Sequence, residues 1–253
     1  MRDRASGERV TVPDGRTEIA RGRASVVYDL GDGTVLRRCL DAEADVAYEA
    51  EVMEHAHAHG VPTPRVFAAD GRDMRMERLH GVTMLQDLAL HPEHAMQHGR
   101  TLAGLHGLLD RVPAMKPSDV HQRLLHLDLH PGNVMMTPSG PVLFDWTNAA
   151  PGPRERDVAT TWLILACMGM DEAGATGNTT MRARLLEGFL DGIDEARVRT
   201  ALPSVGLDRC THPCVHPGCC LSVGVSNAAR GSSCGSRTLR CRTGRALDRI
   251  QTS

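Results

Sequence analysis

The sequence has few aromatic residues, no long apolar run and no excess of charge of either sign. Aromatic residues make up 3% of its 253 residues, so smaller apolar side chains must fill the core. No run reaches the roughly 18 apolar residues of a membrane span, and the longest, WLILACMGM, is typical of a buried helix. The net charge of -2 argues against a nucleic-acid-binding surface. The N-terminus is polar and lacks the apolar core of a signal peptide, so we expect a cytoplasmic protein.

The eight cysteines are unevenly distributed. Cys39 and Cys167 stand alone in apolar surroundings, where a buried free thiol is expected. The other six follow residue 209, in a segment rich in Cys, Arg, Ser and Gly without helical or strand periodicity. That composition rarely forms a core, so we expect residues 208–253 to be disordered and interpret them as an out-of-frame reading of helices that should complete the fold. The alternative is a zinc-binding module. A structural zinc site normally has two separated pairs of ligands, whereas the candidate ligands here lie close together in the sequence: Cys210, His212, Cys214, His216, Cys219 and Cys220.

Upstream of that tail, strand patterns come first and helix patterns second. Alternating apolar residues predict strands from Ile19, in VVYDL, TVLRRCL, VPTPRVFAAD and GRDMRMERL, with a helix between Asp45 and His59. Helices are predicted over 92–110, 154–170 and 179–193, a loop over 121–133, and a tight hairpin in VMMTPSGPVLFDW. This order predicts an α+β fold in two lobes. The predicted segments are a polar start (1–18), a β-rich N-lobe (19–80), a helical C-lobe (81–206) and the tail (207–253).

The stretch HLDLHPGNVMMTPSGPVLFDW, from His126 to Trp146, carries the chemistry. His126, Asp128 and His130 alternate and could bind a metal, as in a metal-dependent hydrolase. However, Pro131 ends any strand at once, and no further ligand is obvious before the tail. The spacing H-x-D-x4-N followed by a hairpin and a second acid, Asp145, instead suits phosphoryl transfer.

These residues resemble the aminoglycoside phosphotransferase family of small-molecule kinases, which share the protein-kinase-like fold. The family usually writes this loop as His-Gly-Asp-Leu-His-x-x-Asn, and Leu127 here replaces the glycine. The resemblance implies that Asp128 is the catalytic base and that Asn133 and Asp145 bind Mg2+. In the following RERDVAT, Asp157 matches a family Asp, which we interpret as a structural acid at a helix start.

The resemblance also implies a nucleotide site in the first half of the chain. Gly22 and Ser25 lie where a kinase places its phosphate-covering loop, and Arg37 occupies the slot of the usual phosphate-binding Lys. Glu49 matches the acidic partner of that Lys, with solvated surface charges as the alternative for this pair. The backbone near Glu77 and Leu79 matches the hinge that meets adenine. We assign no chemistry to the histidines of the helical region: His80, His91, His94, His98 and His106.

The sequence therefore predicts a phosphotransferase that uses Mg2+ with ATP or GTP and phosphorylates a hydroxyl of a small molecule. Only TNAAPGPRER separates Asp145-Trp146 from the next helix, which leaves no visible peptide-binding segment. The family suggests an aminoglycoside-like acceptor, and neither a protein partner, a nucleic acid nor a membrane is predicted. The rival hypotheses are the metal-dependent hydrolase and a nucleotide-binding pseudoenzyme with an incomplete acceptor site.

Overall fold

A computed structural model describes residues 17–22, 24–116, 121–168 and 179–211. The first half of the chain is an antiparallel five-stranded sheet with strand order β1-β2-β3-β5-β4 and one helix. Its elements are β1 (Thr17–Arg21), β2 (Ser25–Asp29), β3 (Thr34–Cys39), α1 (Ala47–Ala58), β4 (Val66–Asp70) and β5 (Asp73–Glu77). The predicted strands and the predicted helix are confirmed.

The sheet and α1 share one apolar layer. Leu36 on β3 and Met74 on β5 are completely buried, as are Val52 and Ala56 of α1. Between β2 and β3 the chain turns through two left-handed glycines, and Asp32 Oδ1 accepts the backbone N–H of Thr34 at 3.0 Å. The turn therefore fixes the register in which β3 carries Arg37 toward α1.

The second half is helical, with short strand pairs that carry the catalytic segment. Strands β6–β8–β9 form one small sheet and β7–β10 another. The elements are β6 (Val82–Thr83), α2 (Met84–Leu90), a 3-10 turn (Pro92–His94), α3 (Ala95–Leu109), β7 (Arg123–Leu125), a 3-10 turn (Pro131–Asn133), β8 (Val134–Thr137), β9 (Gly140–Leu143), β10 (Ala150–Gly152), α4 (Arg154–Cys167), α5 (Thr179–Asp191), α6 (Glu195–Arg199) and α7 (Leu202–Thr211).

Helices α3 and α5 cross at unusually close range. A Cβ on Gly99 would lie 2.1 Å from the carbonyl oxygen of Leu185, and one on Gly188 would lie 2.1 Å from that of Met96. The two backbones therefore touch at this crossing, and Phe189 is completely buried beside it. Among the described residues, no helix combines the length and apolar character needed to cross a bilayer.

Several sequence predictions need correction. Helix α2 was not predicted, although Thr83 and Gln86 form a capping box at its start. The predicted loop over 121–133 contains β7, whose partner β10 lies too far along the chain for a local pattern to reveal it. The predicted helix over 92–110 begins as a 3-10 turn. Neither Cys39 nor Cys167 forms a disulfide, but both are half-buried rather than buried.

The segment predicted to lack helical structure begins as helix. Helix α7 continues through residue 211, beyond the boundary placed at residue 207. Leu202 and Val205 at the start of this helix are buried in the core. Their packing stabilises the helix even though the sequence that follows has no helical periodicity. The predictions for residues 212–253, including disorder and the zinc alternative, lie outside the described residues.

Candidate active site

The segment from His126 to Asn133 joins β7 to β8 and carries the predicted catalytic residues. Two non-glycine residues near it have left-handed backbones: Leu127 with φ 62° and Asp145 with φ 64°. Aspartate tolerates this region, whereas a leucine there is an outlier. Glycine adopts this left-handed backbone without penalty, which explains why the family has glycine here. The leucine at position 127 is therefore a substitution with a conformational cost.

His126 is a buried brace for the loop. Its Nδ1 accepts the backbone N–H of Asp128 at 3.2 Å, and its Nε2 lies 3.3 Å from the carbonyl oxygen of Phe144. A backbone N–H can only donate and a carbonyl can only accept, so the ring is neutral with its proton on Nε2. Desolvation by burial lowers the pKa of His126 from its ordinary value, which favours the same state.

This arrangement removes the support for a hydrolytic metal site. Both nitrogens of His126 are in use, and Nδ1 of His130 accepts the backbone N–H of Gly132 at 3.0 Å. Across the described parts of the chain, His126, Asp128 and His130 do not bring three ligand atoms together. The alternating spacing suggests a metal site only on a strand, whereas in the loop both nitrogens of His126 contact backbone atoms instead.

Asp128 and Asn133 lie together at the mouth of the loop. Nδ2 of Asn133 donates to the backbone oxygen of Asp128 at 2.9 Å and lies 3.3 Å from Asp128 Oδ2. The backbone carbonyl can only accept, so the amide nitrogen must face it and the amide oxygen points elsewhere. The Asp128 side chain remains about a quarter exposed, and Nε2 of His130 lies 3.8 Å from its Oδ2. Asp128 is therefore held by its neighbours yet still reachable by an acceptor.

Asp145 is linked to the first half of the chain through Glu49. Oδ1 of Asp145 accepts the hydroxyl of Thr147 at 2.9 Å, and that hydroxyl lies 3.4 Å from Glu49 Oε2. Glu49 also accepts the backbone N–H of Trp146 at 3.2 Å and forms an ion pair with Arg37. The Arg37 and Glu49 side chains are 11% and 9% exposed, so the alternative of solvated surface charges is wrong.

Asp157 does more than the helix-start role expected from the sequence. From the first turn of α4 its carboxylate accepts the backbone N–H groups of His126 at 3.2 Å and Leu127 at 2.7 Å. Nδ1 of His106 lies 3.5 Å from its Oδ2. Burial raises the pKa of Asp157, but the hydrogen bond and charge of His106 and the N–H of Leu127 outweigh it, and the pKa is lowered overall. The pattern of apolar residues in the sequence could not predict the contact of Asp157 with the catalytic loop.

The proposed nucleotide-side residues lie on the edge of the sheet and at the lobe junction. The backbone N–H of Gly22 donates to the carbonyl of Ser25 at 2.8 Å, which closes the turn before β2. The N–H of Glu77 is already used by the carbonyl of Arg65 at 2.8 Å, so any contact of Glu77 with adenine would have to use its carbonyl oxygen. The backbone of Leu79 makes no hydrogen bond to the residues described and is the better hinge candidate. The roles of Gly22, Ser25, Glu77 and Leu79 in nucleotide binding stay predictions.

The oxygen donors near the loop suit magnesium. Asn133 offers an amide oxygen, since its nitrogen is used by Asp128, and Asp145 offers a carboxylate. Such hard oxygen ligands are those that Mg2+ prefers. The backbone carbonyl of Asn133 accepts the N–H of Phe144 at 3.0 Å, which brings Asn133 beside the residue that precedes Asp145.

The fold and site define a kinase-like protein of two lobes. Solved structures with the same fold include amicoumacin kinase hAmiN in complex with AMP-PNP, Ca2+ and amicoumacin (14% identity, 78% of this chain and 79% of that chain, TM-score 0.53). A thermostable mutant of aminoglycoside phosphotransferase APH(4)-Ia in ternary complex with AMP-PNP and hygromycin B is similar (15%, 78% and 85%, 0.56). So is a choline/ethanolamine kinase family protein from Mesorhizobium loti (16%, 78% and 77%, 0.51).

The family is established by sequence as well. A family model described as the phosphotransferase enzyme family matches residues 15–117 and 107–200. The chain therefore belongs to this phosphotransferase family, which confirms the resemblance and the predicted fold class. No curated protein matches the chain.

Proposed function

We propose that this protein transfers the terminal phosphoryl group of ATP or GTP to a hydroxyl of a small molecule, with Mg2+ as cofactor. The observation that carries the proposal is the meeting of Asp128 and Asn133, whose side chains are 3.3 Å apart, at the mouth of the loop. Membership of the phosphotransferase family supports the same chemistry. We also propose a cytoplasmic location, because the reaction consumes a nucleoside triphosphate.

Asp128 is the proposed catalytic base. Its partly exposed carboxylate would accept the proton of the acceptor hydroxyl and orient that hydroxyl for in-line attack. Asn133 holds the backbone of Asp128 in place through its amide nitrogen. The left-handed turn at Leu127 and the brace from His126 fix where that carboxylate points.

Asn133 and Asp145 are the residues that would hold magnesium. When bound, Mg2+ neutralises charge on the β- and γ-phosphates during transfer. Thr147 and Glu49 orient the Asp145 carboxylate. Arg37, which pairs with Glu49, stands at the position where the family usually has a phosphate-binding Lys. Arginine can bind phosphate in a bidentate manner, although its geometry differs from that of lysine.

The acceptor is proposed to be a small molecule, aminoglycoside-like in the first instance. Only eight residues, 146–153, separate Asp145 from α4, and this connection leaves no room for a peptide-binding activation segment. Two aminoglycoside phosphotransferases with this fold are known in complex with hygromycin B and with gentamicin. These support an aminoglycoside in the acceptor panel alongside choline-like and other alcohols.

The decisive experiment measures ADP formation with Mg-ATP and Mg-GTP against a panel of hydroxylated and aminated small molecules, together with nucleotide affinity by calorimetry. We expect acceptor-dependent turnover with at least one alcohol. Nucleotide binding without turnover on any acceptor would favour the pseudoenzyme, and turnover of esters or amides without nucleotide would overturn the proposal.

A further inference from the structure

A cluster of histidines and acids lies at the junction of α2 and α3, away from the catalytic loop. Its centre is Asp87, in the last turn of α2. Oδ2 of Asp87 lies 2.8 Å from Nδ1 of His94 and 2.6 Å from Nε2 of His98. One carboxylate oxygen is thus shared by two imidazoles from the next two elements of the chain.

We propose that Asp87, His94 and His98 form a site for a divalent transition metal, with Zn2+ as the expected ion. One ligand atom from each of the three lies within 4.8 Å of the other two. Carboxylate oxygen and imidazole nitrogen are ligands that zinc accepts, at about 2.0–2.2 Å. The two hydrogen-bonded pairs need to separate by only about 0.5–0.7 Å to surround such an ion, because two ligands of a tetrahedral zinc lie roughly 3.3 Å apart.

The spacing of the two histidines is a signal for this site in the sequence itself. His94 and His98 are four residues apart, which places them on one face of a helix in the spacing that zinc proteins use. His94 lies at the start of α3, and the rings of His94 and His98 are 5.8 Å apart at their centroids. The carboxylate comes from a separate helix, so the three ligands meet only in the folded chain.

The exposures of the ligands suit a site that can be loaded from solvent. The side chain of His98 is 6% exposed, that of Asp87 19% and that of His94 45%. A buried ligand gives rigidity, and the exposed His94 gives an entry path. His91 and Glu93 lie on the open side, and they form a second three-residue group with His94. Either could supply a fourth ligand in place of water.

One feature lowers the expected affinity. Nδ1 of His98 is buried and has no hydrogen-bond partner among the described residues. When Nε2 binds a metal, the ring proton must move to Nδ1, where nothing accepts it. Histidine ligands normally donate this second N–H to a partner, and loss of such partners costs about 10–100-fold in metal affinity. We therefore expect affinity below that of fully supported zinc sites.

The metal would join the helix that supports the catalytic loop to the rest of the helical half. Leu85 of α2 packs near Gly132, within the 3-10 turn that ends at Asn133. A metal between Asp87 of α2 and His98 of α3 would hold these two helices together. The inferred role is therefore structural, and its test does not depend on the acceptor or on phosphoryl transfer.

The test uses the full chain, stripped with a chelator and then titrated with Co2+ and Zn2+ in excess Mg2+. Co2+ bound by nitrogen and oxygen gives d–d absorption without a thiolate charge-transfer band, so it is distinguished from any metal bound by the tail cysteines. We expect that spectrum at about one equivalent, its displacement by Zn2+, and a higher melting temperature with Zn2+.

Two variants and a control complete the experiment. His94→Ala and Asp87→Asn should weaken binding at least about tenfold and abolish the thermal shift. His59→Ala is the matched control, since His55 and His59 have the same four-residue spacing, with rings 4.4 Å apart, but no carboxylate joins them. A thiolate spectrum alone, no binding, or equal affinity in His94→Ala would overturn the site.

Discussion

The carboxylate of Asp157 accepts the backbone N–H of Leu127 at 2.7 Å, at the one turn of the catalytic loop where a leucine has a left-handed backbone. A non-glycine residue in that region costs about 1–2 kcal/mol. Hydrogen bonds to a charged group contribute about 1.5–3 kcal/mol each, and Asp157 accepts a second one from His126. The two bonds together outweigh the strain, so Asp157 is what allows Leu127 to occupy a glycine position.

Replacing Asp157 by Asn should destabilise the fold by about 2 kcal/mol or more, because an amide has only one oxygen and one buried N–H loses its acceptor. Urea unfolding at pH 7 measures this change. An unaltered free energy of unfolding would show that the loop holds its shape without the carboxylate.

The same residue gives a prediction about acid. The pKa of Asp157 is lowered in the folded protein, so its contribution to stability is present above the unfolded pKa of about 3.9 and is lost as pH falls through the folded value. The native chain should therefore lose more stability below about pH 5 than Asp157→Asn does. Parallel pH profiles for the two proteins would contradict the assignment.

Asp128→Asn should reduce turnover by about 10²–10⁴-fold, the usual effect of losing a general base. Mg-ATP affinity should change little, because the residue faces the acceptor. The amide preserves the contact with Asn133, so the loop should keep its shape. Steady-state kinetics and calorimetry test both parts, and near-normal turnover would eliminate Asp128 as the base.

Asp145→Ala should abolish Mg2+-dependent binding of ATP, since the carboxylate is one of two proposed ligands of the ion. Asp191→Ala is a suitable control, because it removes the same charge from an exposed ion pair with Arg100 on the outer surface of α5. Calorimetry with and without Mg2+ measures the effect. Equal Mg-ATP affinity in Asp145→Ala and in the control would count against the kinase mechanism.

The crossing of α3 and α5 gives a stability test that is independent of function. A Cβ on Gly99 would lie 2.1 Å from Leu185 O and 2.6 Å from Phe189 N, and both are backbone atoms that cannot rotate away. Gly99→Ala should therefore cost about 1–3 kcal/mol or more.

Gly104→Ala on the same helix meets nothing within 4 Å and should stabilise the protein by up to about 1 kcal/mol, as alanine does in an open helix position. Chemical denaturation of the two variants compares them directly. Similar changes in both would mean that the helices are farther apart than described.

Much of this architecture could be predicted because its signals are local. The strands from β1 to β5 alternate, and α1 and α5 show apolar residues at helical spacing. The catalytic loop could be located because Asp128, Asn133 and Asp145 are close in the chain. The fit of Arg37 to Glu49 followed from the resemblance, and the structure confirms that the two side chains pair.

The missed features depend on partners far along the chain. Strand β7 has three residues and pairs with β10, 25 or more positions away, so no local pattern marks it. The contact of Asp157 with His126 spans 31 positions. The proposed metal ligands are closer in the chain, with Asp87 lying 7 and 11 positions from His94 and His98, but they meet only across the turn between α2 and α3. Helix α2 was the exception, since its capping box was readable in the sequence.

The link from Glu49 to Trp146 has a consequence for how the chain acquires its active site during synthesis. All strands of the five-stranded sheet lie within residues 17–77, so this sheet can form while the remainder is still on the ribosome. Glu49 on α1 can accept the N–H of Trp146 only after 97 more residues have been made. The catalytic loop gains its hydrogen bonds to Asp157 later still. A nascent chain that ends before Trp146 would lack both the partner of Glu49 and the Asp157 support of the catalytic loop.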